Sequence, residues 1–69
     1  MKVVAEVAGK VWKIEARAGV RVAADEVILI LECMKMEIPV VAPAAGILVE
    51  LCVAEGEAVG EGDVIAILG

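Results

Sequence analysis

The sequence predicts a small all-β fold built from two similar halves, on three observations. The chain has sixty-nine residues, and globular domains run from about 50 to 250 residues, so residues 1–69 read as a single domain. Val and Ile dominate, no window sustains the i, i+3, i+4 apolar spacing of a helix, and a branched Cβ favours extended backbone. Short apolar stretches alternate with Gly, Asp and Pro, the pattern of a sandwich or small barrel. Hydrophobic residues make up 62% of the chain, above the usual ~45 to 50%, which argues against disorder. A chain this short buries only about 60% of its unfolded surface, so its core must be well packed.

The elements follow from the punctuation. A first strand, 2–7, runs to Ala8-Gly9, and a second, 10–16, runs to Ala18-Gly19. A short strand at 21–22 precedes an acidic turn at Asp25 and Glu26. The apolar run that follows gives 27–33, and 36–42 lies beyond a reversal at Met34 and Lys35. Pro43 and Gly46 separate that strand from 47–53. Gly56 precedes a short strand at 58–59, and Gly62-Asp63 leads into 64–68.

These elements repeat. Shifting the second half back by 37 positions lays Gly46 on Gly9, Gly56 on Gly19, Val59 on Val22, Val64 on Val27, Ile65 on Ile28, Ile67 on Ile30 and Leu68 on Leu31. Each half reads Gly, alternating strand, Gly, short strand, acidic turn, then Val-Ile-x-Ile-Leu. Neither half can bury its apolar face alone, so the two are expected to pack about a pseudo-two-fold axis. Within the repeated strand, Ile28 and Ile30 recur as Ile65 and Ile67 while Leu29 becomes Ala66, and strict alternation points the recurring pairs inward. Trp12, the sole aromatic residue, is expected to pack on one side of the sandwich with its N–H satisfied by a partner.

What the chain lacks narrows its chemistry. It contains no His, Ser, Thr, Asn, Gln, Phe or Tyr, which removes serine triads, Cys–His pairs and imidazole bases; no catalytic residue is assigned. Cys33 and Cys52 have no His or further Cys to complete a zinc shell, so no metal site is expected, and both are read as reduced, buried small hydrophobes. A formal charge of -5 without a basic face argues against nucleic acid. No apolar run approaches the ~20 residues of a membrane helix, and Glu6, Lys10 and Lys13 interrupt any signal-peptide pattern. A cytoplasmic protein with no membrane partner, monomeric in isolation, is expected.

One segment remains unexplained by folding. Between the halves lies Glu32-Cys33-Met34-Lys35-Met36-Glu37-Ile38-Pro39, and the reversal within it has no Gly, Asn or Asp, the residues that tolerate positive φ at hairpin tips. A lysine at a reversal between two exposed methionines is presented for something outside the fold.

Glu32-Cys33-Met34-Lys35-Met36 resembles the Glu-Ala-Met-Lys-Met signature of biotinyl carrier domains. Ala42-Pro43, Gly46, Val53, Gly56, Val59, Gly62 and Asp63 are similar to the second half of that family, so the resemblance covers essentially the whole chain. The Ala8-Gly9-x-x-Trp12-Lys13 segment and the length resemble the short free-standing biotin/lipoyl attachment proteins, which lack a long Pro/Ala linker. The resemblance implies a flattened barrel of two four-stranded antiparallel sheets with the modified lysine on a hairpin opposite the termini. Carried onto this chain, it makes Lys35 the residue acylated by a biotin protein ligase, with Met34 and Met36 helping that ligase choose it. Cys33 departs from the usual Ala and adds a thiol beside the acceptor.

The function so implied is that of a carrier for an acyl-CoA or other biotin-dependent carboxylase: biotin on Lys35 shuttles a carboxyl group between a biotin carboxylase and a carboxyltransferase. Lysine is protonated at neutral pH, so the ligase must supply the base. The nearest alternative is lipoate on the same lysine, alone or in a dual biotin/lipoyl attachment protein, because lipoyl domains share the barrel; their signatures usually read Asp-Lys-Ala, and Met-Lys-Met favours biotin. An unmodified structural barrel, in which Lys35 merely occupies the turn, is the alternative of another class.

Overall fold

A computed structural model describes the whole chain, Met1–Gly69. It contains eight strands: β1 (Lys2–Val4), β2 (Gly9–Ile14), β3 (Arg21–Val22), β4 (Val27–Cys33), β5 (Met36–Val41), β6 (Gly46–Leu51), β7 (Ala58–Val59) and β8 (Val64–Leu68). Every predicted strand is present: 27–33 and 64–68 keep their bounds, 2–7, 10–16, 36–42 and 47–53 end earlier, and β2 and β6 each begin one residue sooner, at Gly9 and Gly46. With no helix at all, none is long and apolar enough to cross a membrane.

The strands form two four-stranded antiparallel sheets, β1-β8-β6-β3 and β5-β4-β2-β7. The repeat maps one order onto the other: β1 onto β5, β8 onto β4, β6 onto β2 and β3 onto β7. Hydrogen bonds outside the ladders repeat as well. The Gly19 N–H donates to the Leu48 carbonyl at 2.7 Å and the Gly56 N–H to the Val11 carbonyl at 2.7 Å, so each half closes on the other. At the acidic turns, the Ala23 N–H donates to Glu26 Oε1 and the Gly60 N–H to Asp63 Oδ2. The residue before each carboxylate takes positive φ, Asp25 at 67° and Gly62 at 87°; Asp is one of the few side chains that tolerate this region.

Both sheets contribute to one core, which includes Val3, Val11, Val22, Leu31, Leu48 and Leu68. Here the structure corrects the alternation. Ile28 and Leu29 are both fully buried, as are Ile65 and Ala66, whereas Ile30 and Ile67 are only half-buried. The cause is a bulge in each half. The β4–β5 register passes from Val27↔Val41 to Leu29↔Val40 and skips Ile28, while the β1–β8 register passes from Val3↔Ala66 to Val4↔Val64 and skips Ile65. An extra residue on one strand re-aims the side chains that follow it, so Leu31 and Leu68, rather than Ile30 and Ile67, face the core.

A second pair of bulges corrects the placement of Trp12. The β2–β4 register skips Trp12 between Val11↔Leu31 and Lys13↔Ile30, and the β6–β8 register skips Val49 between Leu48↔Leu68 and Glu50↔Ile67. Trp12 is 49% exposed and Val49 56%. The side-chain hydrogen bonds of the fold run through Glu26, Glu55, Glu57 and Asp63 and do not involve the indole N–H. The cysteines are free, as expected, but they are not core residues: Cys33 is half-buried and Cys52 exposed.

Gly9 and Gly46 are required by close approach. A Cβ at Gly9 would lie 2.9 Å from the Glu32 carbonyl oxygen, and one at Gly46 would run closer still into the Gly69 carbonyl oxygen.

Candidate functional site

The site is built by the zipping of β4 and β5. Ile30 pairs with Pro39, Leu31 with Ile38, Glu32 with Glu37 and Cys33 with Met36, which leaves Met34 and Lys35 as a two-residue loop. Both loop residues are left-handed, at φ 52° and 66°. A two-residue hairpin with positive φ at both positions is a type I′ turn, which suits the strand twist and is normally filled by Asn-Gly. A side chain in the left-handed region costs roughly 1–2 kcal/mol per residue. Met-Lys therefore occupies a turn that other residues would make more stably, and the buried Leu29 and Leu31 on β4 anchor the strand that holds it there.

The three residues singled out in the sequence stand together at this tip. Met34 is 90% exposed and Met36 60%; Lys35 is exposed and takes no part in an ion pair, the one pair of the fold being Lys13 with Glu15 at 3.4 Å. Exposed methionine is unusual, because its thioether and methylenes gain from burial. Cys33 sits half-buried at the base of the turn opposite Met36.

Chemically, the tip offers one primary amine on a rigid two-stranded support. A lysine held this way fits covalent attachment of an acyl group through an amide: the amine is accessible, the chain around it is braced by the ladder, and the neighbouring side chains are slim and flexible. No group of three or more Cys, Asp or Glu is placed to hold a metal ion. An apolar depression between the edge strands β1 and β5, walled by Val4, Val7, Ile38 and Pro39, does not include Lys35. Exposure alone does not distinguish Lys35, since Lys2, Lys10 and Lys13 are exposed too; these lie within β1 and β2, whereas Lys35 alone is at a reversal.

Two features of this end of the molecule escaped the sequence reading. Glu32 and Glu37 are directly opposed across β4 and β5, which requires the register. Trp12 is exposed on the neighbouring strand β2, and the only signal for that was its replacement by Val49 in the second half of the repeat.

The family model for biotin/lipoyl domains, described as "Biotin-requiring enzyme", matches residues 1–68. The biotin/lipoyl attachment protein of Bacillus subtilis is 45% identical over 65 residues, which span 94% of this chain and 89% of that protein. The biotinylated protein TB7.3 homolog of Mycobacterium leprae is 38% identical over 64 residues, 93% of this chain and 90% of that protein. Among solved structures, the urea carboxylase of Kluyveromyces lactis matches all of this chain at a TM-score of 0.95 and 30% identity. A single-chain, multi-domain long-chain acyl-CoA carboxylase matches 96% of it at a TM-score of 0.90 and 33% identity. In both enzymes the matched region is a small part, 6% and 7% of the respective chain.

Proposed function

This chain belongs to the biotin/lipoyl attachment family, a carrier domain and not a catalyst, and from that premise we propose that residues 1–69 act as one biotin carboxyl carrier module with Lys35 as its attachment residue. The observation that carries this reading is the strained Met34-Lys35 turn, which sets a single unpaired amine between two exposed methionines.

In attachment, the deprotonated Lys35 Nζ attacks the acyl carbon of biotinyl-adenylate bound to a biotin protein ligase. The N–C bond forms, the bond from that carbon to the phosphate oxygen breaks, AMP leaves, and the amine proton passes to the ligase. Met34 and Met36 provide the apolar contacts by which the ligase selects this lysine. Biotin, once attached, supplies a ring nitrogen that accepts and releases a carboxyl group, which a biotin carboxylase loads and a carboxyltransferase removes. The carrier's contribution is the rigid hairpin and the tether, which raises the local concentration of the group at both enzymes. All of this is set in the cytoplasm, with the carrier monomeric before it meets its partners.

Biotin is favoured over lipoate by the Met-Lys-Met sequence and by the carboxylases that resemble the chain in fold. The test is intact mass spectrometry after separate incubations with a biotin protein ligase and a lipoate ligase, each with its cofactor and ATP. A single biotin adduct with no lipoyl adduct is expected. A lipoyl adduct alone would transfer the chain to the lipoyl carriers, an adduct in each reaction would make it a dual attachment protein, and no adduct in either would leave an unmodified barrel.

A further inference from the structure

The repeat provides an internal control for function. Features present in both halves answer to the fold; those present only in the half that carries the Lys35 hairpin call for another explanation. The equivalent bulges of β2 and β6 hold Trp12 and Val49, 49% and 56% exposed. Since Val49 fills its bulge with a small apolar side chain, the fold does not need an indole there. Trp12 nevertheless leaves about half its surface in water, with its N–H outside the hydrogen-bond network.

The location of Trp12 follows from the ladder. It lies on the strand beside β4, between the pairs Val11↔Leu31 and Lys13↔Ile30. Buried Val11 and Leu31 mark the inner face, so alternation sets Trp12, Ile30, Glu32, Glu37 and Pro39 on the outer face of this sheet. Along β4, Trp12 is about four and a half residues from Lys35, roughly 15 Å at the rise of a strand. A standard protein interface covers about 800 Å² per partner, a patch of about 16 Å radius. A protein footprint centred on Lys35 thus reaches Trp12.

The same face carries a charge feature that the fold disfavours. Glu32 and Glu37 are opposed directly across the hairpin, and like charges at such positions are destabilising. Lys10 stands opposite Glu32 across β2 and β4, and Glu37, on the edge strand, has no such cation beside it; neither carboxylate closes to an ion pair within the chain. A partner presenting cationic groups here would relieve that repulsion, and one with an apolar pocket beside them would bury the indole; tryptophan is prominent among residues that dominate interface energies.

We propose that Trp12 anchors the docking of the biotin protein ligase. The proposal rests on Lys35 being the biotin acceptor. Reach favours the ligase over the carboxylase enzymes as occupant: before modification the lysine amine itself must touch the acyl-adenylate, so the two protein surfaces abut, whereas after modification the added arm lets the carrier body stand back.

The experiment is steady-state biotinylation by a biotin protein ligase of the full chain, its Trp12→Val variant, which installs the residue of the equivalent bulge, and a Val49→Trp control in the other sheet, with thermal melts of all three. Trp12→Val is expected to raise the KM for the carrier at least tenfold with kcat little changed and the melt intact, and Val49→Trp to behave as the parent. Equal KM values for Trp12→Val and parent would overturn the proposal while leaving Lys35 as acceptor; absence of labelling in the parent would instead remove the acceptor reading. A second measurement does not depend on the fold of the variant. Because Trp12 is the only tryptophan, a Lys35→Arg chain labelled with fluorotryptophan gives one 19F resonance, which is expected to shift or broaden with added ligase; an unmoved resonance at saturating ligase would also overturn the proposal.

Discussion

Ile28 and Ile65 are the same residue of the fold twice over: each is the extra residue of a bulge, one opposite β5 and the other opposite β1, and each is fully buried. The pseudo-two-fold therefore includes the irregularities of the sheets as well as their strand order. An equivalence at this level should appear in energetics.

Ile28→Val and Ile65→Val are each expected to destabilise by about 0.5–1.5 kcal/mol, the usual cost of removing one buried methyl group. The same change at half-buried Ile30 and Ile67 should cost less. Denaturant melts of the four variants check this; a loss at Ile28 with none at Ile65 would show that the halves do not share the core equally.

Gly9 and Gly46 are equivalent in sequence but face different obstacles. A methyl group at Gly9 meets the Glu32 carbonyl within the β2–β4 ladder, while one at Gly46 meets the carbonyl of the terminal residue, Gly69. Gly69 is held to Ile47 by reciprocal backbone hydrogen bonds of 3.0 and 2.8 Å and the Gly46 contact is the closer of the two, so Gly46→Ala should destabilise at least as much as Gly9→Ala, each by about 1–3 kcal/mol as for other overpacked sites. Paired thermal melts decide the order.

These comparisons also show which parts of the molecule were legible in the sequence. The succession of strands and the repeat could be read because Gly, Pro and apolar runs mark them directly, and the Met34-Lys35 reversal because it falls between two apolar strands. The inward set could not, since period-two alternation assumes an unbroken ladder, and a bulge at Ile28 or Ile65 adds a residue without changing composition. Strict alternation thus places Ile30 in the core, where the structure has Leu31. For Trp12 the expectation of packing with a satisfied N–H rests on general tendency, whereas the indole is 49% exposed and its N–H lies outside the side-chain hydrogen bonds of the fold. General tendency places Cys33 and Cys52 in the core, whereas the first pairs with Met36 at the hairpin base and the second lies beyond the end of β6.

The tip should separate stability from modification. Met34→Gly removes a side chain from the left-handed region at φ 52°, and glycine is at home there, so the variant is expected to melt at or above the parent temperature. It should nevertheless be biotinylated more slowly, because one of the two methionines flanking Lys35 is gone. A melt and a ligase time course on the same sample check both halves of the statement.

Replacing Met34 and Met36 together with Ala should leave the fold within about 0.5 kcal/mol of the parent, as for exposed positions generally, since these side chains are 90% and 60% exposed. Biotin transfer should slow, or modification should shift toward lipoate. An unfolded double variant whose folded remainder is labelled at the parental rate would place the methionines in the core instead.

The most direct test is peptide mapping of the chain after complete reaction with a biotin protein ligase, run beside Lys35→Arg. The expected result is one biotin per chain, carried only by the peptide containing Lys35, none on Lys2, Lys10 or Lys13, and no labelling of Lys35→Arg. Biotin on Lys10 or Lys13, or full labelling of Lys35→Arg, would contradict it and remove the hairpin from the function of this protein.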